Sequence, residues 1–150
     1  VRSAQASELP AIQAIAQTVI KTRYPAFLGQ DMVDAFIGSG QSDAEFTTHQ
    51  DNLYVLVDGS EIVGLSICFD DFIQLMMVKV DVQSKGLGSF LLKECEAKIK
   101  SSGYPAARLE TFLANDQAVG FYLKNGWSEV KRDEVTAGQL ARIWFEKPTA

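Results

Sequence analysis

The chain has 150 residues, of which 47% are hydrophobic and 22% are charged, and its formal net charge at pH 7 is −5. This size and composition predict a single globular domain over residues 1–150 and exclude an intrinsically disordered chain. No apolar run reaches the ~18 residues of a membrane-spanning helix, and an acidic chain is poorly suited to non-specific nucleic-acid binding, so we expect neither a membrane nor a nucleic acid as partner.

The amino-terminal third predicts one short strand followed by helices. Residues 1–4 are a strand candidate, and apolar residues recur at helical spacing over 12–20, behind Ser7 as a helix cap. A second short helix is predicted at 32–37, before the glycine-containing break at 38–40.

The rest of the chain alternates strands and helices. The turn sequence Asp58-Gly59-Ser60 separates two apolar runs and predicts a hairpin, and the 89–101 stretch carries acid-first charge pairs four residues apart, which favour a helix. The predicted elements are, in chain order, strands at 53–57, 62–69 and 72–82, a helix at 89–101, a strand at 107–112, a helix at 117–125 and strands at 128–135 and 140–146. This order predicts an α/β or α+β protein with a mixed sheet and parallel pairing across the 89–101 helix.

The cysteine and histidine content excludes several kinds of site. Cys68 and Cys95 fall in apolar patterns and are predicted to be reduced core thiols of a cytoplasmic protein. The single histidine, His49, falls in a polar loop. These residues offer no convincing zinc site and no Cys–His or Ser–His–Asp mechanism, so we predict no metal.

Two glycines stand where a strand is predicted to become a helix, in the sequence Q-S-K-G-L-G of residues 83–88. The first turn of a helix presents backbone N–H groups without internal partners, and Gly86 and Gly88 leave room for an anion to approach them. Two common phosphate loops are excluded: GxGxxG because residue 91 is leucine, and GxxxxGK(S/T) because the lysine precedes the glycine. A phosphate-binding loop and a plain tight turn both stay open at this point.

A second pattern lies downstream, in the sequence N-D-Q-A-V-G-F-Y-L-K-N-G-W of residues 115–127. Together the two stretches resemble the GCN5-related N-acetyltransferase (GNAT) superfamily, whose acetyl-CoA motif (R/Q)-x-x-G-x-(G/A) matches residues 83–88. The second signature of that family is N-x-x-A-x-x-x-Y followed by glycine and an aromatic residue. It is matched by Asn115, Ala118, Tyr122, Gly126 and Trp127.

The resemblance implies a mixed, mostly antiparallel central sheet of about six to seven strands, flanked by about four helices, with a splayed parallel strand pair at the cofactor site. It implies acetyl-CoA as cofactor and coenzyme A as product. The residues that it assigns to cofactor binding are Met76, Met77, Val78, Gln83, Ser84, Lys85, Gly86, Leu87, Gly88, Ser89 and Asn115. Amides of 84–89 would hold the pyrophosphate, the strand at 76–78 would pair with the pantetheine arm, and an amide near Val78 would polarise the acetyl carbonyl.

The resemblance also assigns catalytic residues. Acetyl transfer to an amine needs a base that removes the proton of the amine and an acid that protonates the leaving thiolate. Tyr122 would lie beside the sulfur as the acid, and Glu110, in the strand stretch RLETF, is the first choice of base. A solvated strand residue is the other interpretation of Glu110, and Asp70 and Asp71 are rival bases.

The predicted function is therefore that of an acetyl-CoA-dependent N-acetyltransferase, which moves the acetyl group directly to a primary amine of a small molecule or a peptide through a ternary complex. Two alternatives stay open: a non-catalytic acyl-CoA-binding sensor module and a nucleotide-binding α/β domain. Acceptor specificity is expected to come from residues 21–52 and from the 133–140 hairpin. Candidates there for a pocket, core or dimer contacts are Tyr24, Phe27, Phe36 and Phe46. The resemblance also makes a homodimer plausible.

Overall fold

The computed structural model describes residues 1–134 and 140–150, and for residues 83–85 it describes the backbone alone. The strands in the described part of the chain are β1 Arg2–Ser3, β2 Leu53–Asp58, β3 Glu61–Phe69, β4 Phe72–Val78, β5 Ala106–Phe112, β6 Ser128–Arg132 and β7 Arg142–Pro148. The α-helices there are α1 Leu9–Arg23, α2 Pro25–Leu28, α3 Gln30–Gly38, α4 Gln41–Thr48, α5 Leu87–Ser101 and α6 Asp116–Lys124. Three short 3₁₀-helical turns join them, at Ala6–Glu8, Gln50–Asn52 and Val80–Lys85.

The strands form one sheet in the order β1-β2-β3-β4-β5-β7-β6. Every neighbouring pair is antiparallel except β4 and β5, which are parallel. Helix α5 makes the crossover between these two strands, as a parallel pair requires. The predicted fold class, a mixed and mostly antiparallel sheet with one parallel pair, is confirmed. The helices are more numerous than the predicted four because α2 and α4 were not foreseen.

Helices cover both faces of the sheet. On one face α1, α3 and α4 pack against the sheet, and the buried cluster there includes Ile12, Ala16, Val33, Phe46, Leu65 and Ile67. On the other face α5 packs against the sheet, and the buried cluster there includes Cys68, Leu92, Cys95, Ile99, Leu109 and Phe145. The two cysteines are therefore buried, and both are free thiols.

The strand predicted at 72–82 is shorter than expected. β4 ends at Val78, and Val80–Lys85 forms a 3₁₀-helical turn. Val80 and Val82 are partly buried and pack against hydrophobic clusters, so their apolar character serves the packing of a turn. An apolar run this short does not by itself separate a strand from a helical turn.

Two features of the amino-terminal part differ from the prediction. Helix α4 was missed because its sequence, QSDAEFTT, carries one large apolar side chain, Phe46, which is 1% exposed and anchors the helix to the core. Ser7 is not the helix cap, since Gln5 precedes the first helical turn and its N–H donates to Glu8 Oε1 at 2.8 Å.

At the carboxyl-terminal edge, β6 and β7 replace the strands predicted at 128–135 and 140–146. Residues 135–139, which make up most of the hairpin predicted to contribute acceptor specificity, lie outside the described residues. Within the described part of the chain, no helix has both the length and the apolar character needed to cross a membrane. In the same part, His, Cys, Asp and Glu side chains form no group of three that could hold a metal ion.

Candidate active site

The parallel strands β4 and β5 separate soon after they begin. Among the described residues their register joins two pairs, Phe72 with Arg108 and Ile73 with Leu109. The register of β4 with β3 shifts directly afterwards, which leaves Gln74 as a bulge. A bulge bends its strand and increases the local twist. The bulge therefore directs β4 away from β5 and opens a gap between them.

Two cavities occupy this gap. One, of about 190 Å³, lies between β4, α6 and the start of α5, and its lining includes Met77, Val78 and Gly88. The other, of about 170 Å³, lies on the β5 side, and its lining includes Glu110 and Arg142. The residues that line both are Tyr24, Met76, Asn115, Ala118 and Tyr122. Because they share these walls, the two cavities form one cleft, which we call the splay cleft.

Helix α5 begins at one end of the splay cleft. Gly86 precedes it with φ +78°, a left-handed conformation that glycine adopts without strain, and among the described side chains none caps the helix there. The backbone N–H groups of the first turn, 87–89, lie at the positive end of the helix dipole. A Cβ on Gly88 would stand 3.4 Å from ring carbons of Phe121. The two glycines have separate roles, since Gly86 provides the turn and Gly88 the close approach of α5 to α6.

Helix α6 holds Tyr122 in the middle of the cleft. Asn115 caps the helix, because its Oδ1 accepts a hydrogen bond from the Ala118 N–H at 3.3 Å. The helix ends at Lys124, and Gly126, two residues later, turns the chain with φ +87°, so that the Trp127 N–H donates to the Tyr122 carbonyl at 3.0 Å. Residues of the second sequence pattern therefore fix the start and the end of α6, the helix that carries Tyr122.

Two tyrosines contribute to the centre of the cleft. Burial raises the pKa of Tyr122 above its ordinary value, because an apolar surrounding disfavours the phenolate. The phenol therefore stays neutral at physiological pH and keeps a proton to donate. Tyr24, at the end of α1, lines both cavities, and burial raises its pKa as well. Sequence reasoning named Tyr24 only among four aromatic candidates, since its neighbours in the cleft come from distant parts of the chain.

Glu110 and Arg142 form the β5 side of the cleft. The Arg142 Nη1 group donates to Glu110 Oε1 at 3.4 Å, a long contact, and the two side chains are 42% and 33% exposed. The guanidinium also lies 4.6 Å from the ring centroid of Phe112, which fixes its position by a cation–π contact. Glu110 is thus a half-buried carboxylate that has oxygen lone pairs left to accept a proton.

The two rival carboxylates do not line the splay cleft. Asp71 binds Arg108 through two hydrogen bonds, of 2.8 and 2.9 Å, and this guanidinium lowers the pKa of Asp71. Asp70 accepts a hydrogen bond from the Tyr104 hydroxyl at 3.2 Å, in the turn between β3 and β4. Of the three candidate bases, Glu110 is the one that shares a cleft with Tyr122.

A family model of the acetyltransferase (GNAT) domain matches residues 49–129, more than half of the chain. The chain belongs to the GNAT family. The matched segment runs from the end of α4 to β6 and contains both sequence motifs, Glu110 and the α5 and α6 walls of the splay cleft.

Solved structures of GNAT proteins share this fold at low sequence identity. The GCN5-related N-acetyltransferase (Aminotransferase, Class-II) of Rhodopseudomonas palustris is 18% identical, with a TM-score of 0.82 over 98% of this chain and 93% of that one. The PaiA N-acetyltransferase of Thermoplasma acidophilum, solved in complex with coenzyme A, is 19% identical, with a TM-score of 0.79 over 98% and 96%. The ribosomal-protein-S18-alanine N-acetyltransferase of Escherichia coli is 21% identical, with a TM-score of 0.71 over 99% and 92%. No curated protein sequence matches this chain significantly.

Membership of the GNAT family confirms the predicted family, the acyltransferase activity and acetyl-CoA as cofactor. The individual site residues stay predictions. Those that line the splay cleft are Met76, Met77, Val78, Gly88, Asn115 and Tyr122 on the α5 and α6 side, and Glu110 on the β5 side. Those in or next to the first turn of α5 are Gly86, Leu87 and Ser89, preceded by the backbone of Gln83, Ser84 and Lys85. The oxyanion donor, an amide near Val78, is likewise a prediction.

Proposed function

We propose that this GNAT protein moves the acetyl group of acetyl-CoA directly to a primary amine, with both substrates bound at once. The observation that carries the proposal is the splay cleft, which joins the first turn of α5 at one end to Glu110 at the other. Two substrates that enter from opposite ends would meet beside Tyr122. Such a meeting point makes a covalent enzyme intermediate unnecessary.

The cofactor would occupy the part of the cleft between β4 and α6. Backbone amides of 84–89, at the amino end of α5, suit a pyrophosphate. The β4 edge at 76–78 lies beyond the two residue pairs that join β4 to β5, and it suits an added strand such as a pantetheine arm. Gly88 keeps this part free of a side chain at the first turn. When bound, acetyl-CoA supplies an acetyl thioester, which an unprotonated amine attacks with release of coenzyme A.

Glu110 and Tyr122 carry the proton transfers in this proposal. An alkylamine is mostly protonated at neutral pH and can attack only after it loses a proton. The Glu110 carboxylate, directly or through one water, accepts that proton. The Tyr122 hydroxyl, which burial keeps neutral, donates its proton to the leaving sulfur.

An assay of thiol release tests the proposal. The protein is incubated with acetyl-CoA and, separately, with small primary amines, amino acids and short peptides. We expect amine-dependent release of the coenzyme A thiol, with an equal amount of N-acetylated product by mass spectrometry. Thiol release that does not depend on the amine would contradict direct transfer. Cofactor binding without turnover of any amine would favour the non-catalytic acyl-CoA-binding module instead.

Gly88→Leu should weaken acetyl-CoA binding by about ten- to a hundredfold. The added side chain starts 3.4 Å from the Phe121 ring and 4.0 Å from Val78 Cγ2, so it overpacks the wall that the cofactor would contact. Titration calorimetry of the folded variant gives the dissociation constant. Gly120→Ala is the matched control, because a Cβ there meets nothing within 4 Å, and it should keep the wild-type affinity. An unchanged dissociation constant in Gly88→Leu would place the cofactor elsewhere.

We also propose a cytoplasmic location and a homodimer. The two buried free thiols, Cys68 and Cys95, support a reducing compartment, and the homodimer rests on the family resemblance alone. Light scattering coupled to size-exclusion chromatography should give twice the mass of one chain, and a monomer at all concentrations would contradict the dimer.

A further inference from the structure

A third cavity, of about 330 Å³, lies between α4 and β4, on the face of the sheet opposite α5. Its apolar walls are Ile20, Phe36, Phe46, Leu75 and Met77. We call it the α4 cavity. Neither the two sequence motifs nor the proton transfers described above involve it.

The α4 cavity contains a buried hydroxyl group without a partner. Ser42 is 3% exposed, it lines the cavity, and its Oγ has no hydrogen-bond partner among the described residues. Buried polar side chains in native proteins are nearly always hydrogen-bonded, because an unpaired one loses the hydration that it has in the unfolded chain. A buried hydroxyl left unpaired in the lining of a cavity is a position where a ligand can supply the missing partner.

A carboxylate lies in the same lining. Glu45, one helical turn after Ser42, accepts a hydrogen bond from Gln74 Nε2 at 3.1 Å. The His49 Nε2 atom lies 3.9 Å from Glu45 Oε1, too far for a hydrogen bond. Within the described residues, no lysine or arginine forms an ion pair with Glu45. Its negative charge is therefore available to a cationic ligand.

The α4 cavity adjoins the acceptor side of the splay cleft. Leu75 lines both. Gln74, which lines the splay cleft, donates its hydrogen bond to Glu45 of the α4 cavity. The two cavities therefore share a wall at β4, and an acceptor held at Glu110 that reached across this wall would bring its far end to Glu45.

We infer that the α4 cavity binds the distal end of the acceptor, and that the acceptor is a diamine: a primary amine joined by an aliphatic arm to a second cationic group. The arm packs on the apolar walls, the distal ammonium pairs with Glu45, and the Ser42 hydroxyl accepts one of its hydrogen bonds. This inference rests on the proposed function, because it assigns the reacting amine to Glu110.

Methionine NMR tests the binding without acetyl-CoA. The chain has three methionines: Met77 lines both the α4 cavity and the cofactor side of the splay cleft, Met76 lines the splay cleft alone, and Met32 is 47% exposed on the surface. Protein labelled with ¹³C at the methionine methyl groups is titrated separately with diaminopentane, diaminohexane and diaminooctane. A titration with pentylamine, which has one amine, is the comparison. We expect a saturable shift of the Met77 signal, a silent Met32 signal, and affinity at least about tenfold higher for the best diamine than for pentylamine.

Two variants and one control make the assignment specific. Glu45→Gln should remove the preference for the diamine, and Ser42→Ala should weaken diamine binding while thermal stability stays equal or rises, because the unpaired hydroxyl is gone. Asp51→Asn removes one negative charge from an exposed position nearby and should change nothing. Absence of a Met77 shift with the diamines would overturn the inference. So would a Met77 response that is the same for pentylamine as for the diamines, or the same in Glu45→Gln as in wild type.

Kinetics separate this inference from the proposed function. If both are right, Glu45→Gln raises the KM for the diamine about tenfold with kcat unchanged and leaves the KM for pentylamine as it was. If both amines are acetylated with equal KM in wild type and variant, the proposed function stands and the diamine subsite is wrong. If no amine is acetylated but the Met77 response follows the expected pattern, the diamine site stands and the proposed function is wrong.

Discussion

Tyr122→Phe is expected to lower kcat for acetyl transfer by about 10²- to 10⁴-fold and to leave the dissociation constant of acetyl-CoA unchanged. The substitution removes one hydroxyl group and keeps the ring, which packs between Phe121, Trp127 and Phe145 at centroid distances of 5.4, 6.1 and 5.8 Å. The fold and the cofactor wall are therefore preserved, and only the proton donor is lost. Steady-state kinetics together with titration calorimetry measure the two quantities.

The pH dependence gives this prediction a second signature. Burial raises the pKa of Tyr122 above the ordinary value of 10.0, so the phenol retains its proton to a higher pH than a free tyrosine does. Turnover in the wild type should therefore not decline between pH 7 and 9 through loss of the acid. Tyr104→Phe is the matched control, since its hydroxyl bonds to Asp70 outside the cleft, and it should keep the wild-type kcat. A Tyr122→Phe variant with wild-type kcat at every pH would show that another group protonates the thiolate.

Glu110→Gln is expected to lower kcat/KM by about 10²- to 10⁴-fold at neutral pH. The amide has nearly the shape of the carboxylate but cannot accept the proton of the incoming ammonium. The defect should become smaller as the pH approaches ~10.4, the pKa of an ordinary alkylamine, because the free amine then needs no base. A profile of kcat/KM from pH 6 to 10 measures this convergence. A defect that stays constant over that range would mean that Glu110 acts in binding or in structure.

Asp71→Asn is the matched control for Glu110→Gln. It replaces a rival carboxylate that lies outside the cleft and should leave kcat/KM unchanged. Arg108 lowers the pKa of Asp71, so the ion pair stabilises the fold above about pH 4 and its contribution is lost as the pH falls. The midpoint of thermal unfolding should therefore be lower in Asp71→Asn than in wild type at neutral pH, and the two should converge in acid. Loss of turnover in Asp71→Asn, with Glu110→Gln active, would exchange the two assignments.

The contact between Glu110 and Arg142 adds little to the free energy of unfolding, and this helps to interpret the activity of Glu110→Gln. Both side chains are partly exposed, and the contact is long, at 3.4 Å. Exposed pairs of this kind contribute about 0–1 kcal/mol. Loss of activity in Glu110→Gln can therefore be attributed to chemistry, provided that its thermal unfolding matches that of the wild type.

The elements that the sequence predicted well are those with a strong local signal. Helix α5 has apolar residues at helical spacing and acid-first charge pairs, and α6 has a capping asparagine and a glycine stop. The hairpin of β2 and β3 has Asp-Gly turn chemistry. In each case the residues that fix the element are close together in the chain, so local propensity and tertiary packing agree.

The elements and residues that it missed depend on distant contacts. Helix α4 is held by one buried ring, Phe46, and by its place against α1, neither of which a local pattern contains. The bulge at Gln74 arises from the register of two strands and has no signature in β4 itself. The positions of Tyr24 in the lining of the splay cleft and of Ser42 in that of the α4 cavity follow from packing between separate elements. The sequence motifs therefore support residue predictions for the cofactor side of the site, whereas they contain no signal for the acceptor side.

Thermal unfolding with acetyl-CoA, coenzyme A, ATP and NAD, each added separately, tests most directly whether the splay cleft is an acetyl-CoA site. A ligand at a hundred times its dissociation constant adds about 2.7 kcal/mol of stability, which for a domain of this size raises the unfolding midpoint by about 5 to 10 °C. We expect that rise with acetyl-CoA and coenzyme A, and none with ATP or NAD. A rise with ATP or NAD alone would contradict an acetyl-CoA site in the splay cleft and would assign the first turn of α5 to a different phosphate ligand.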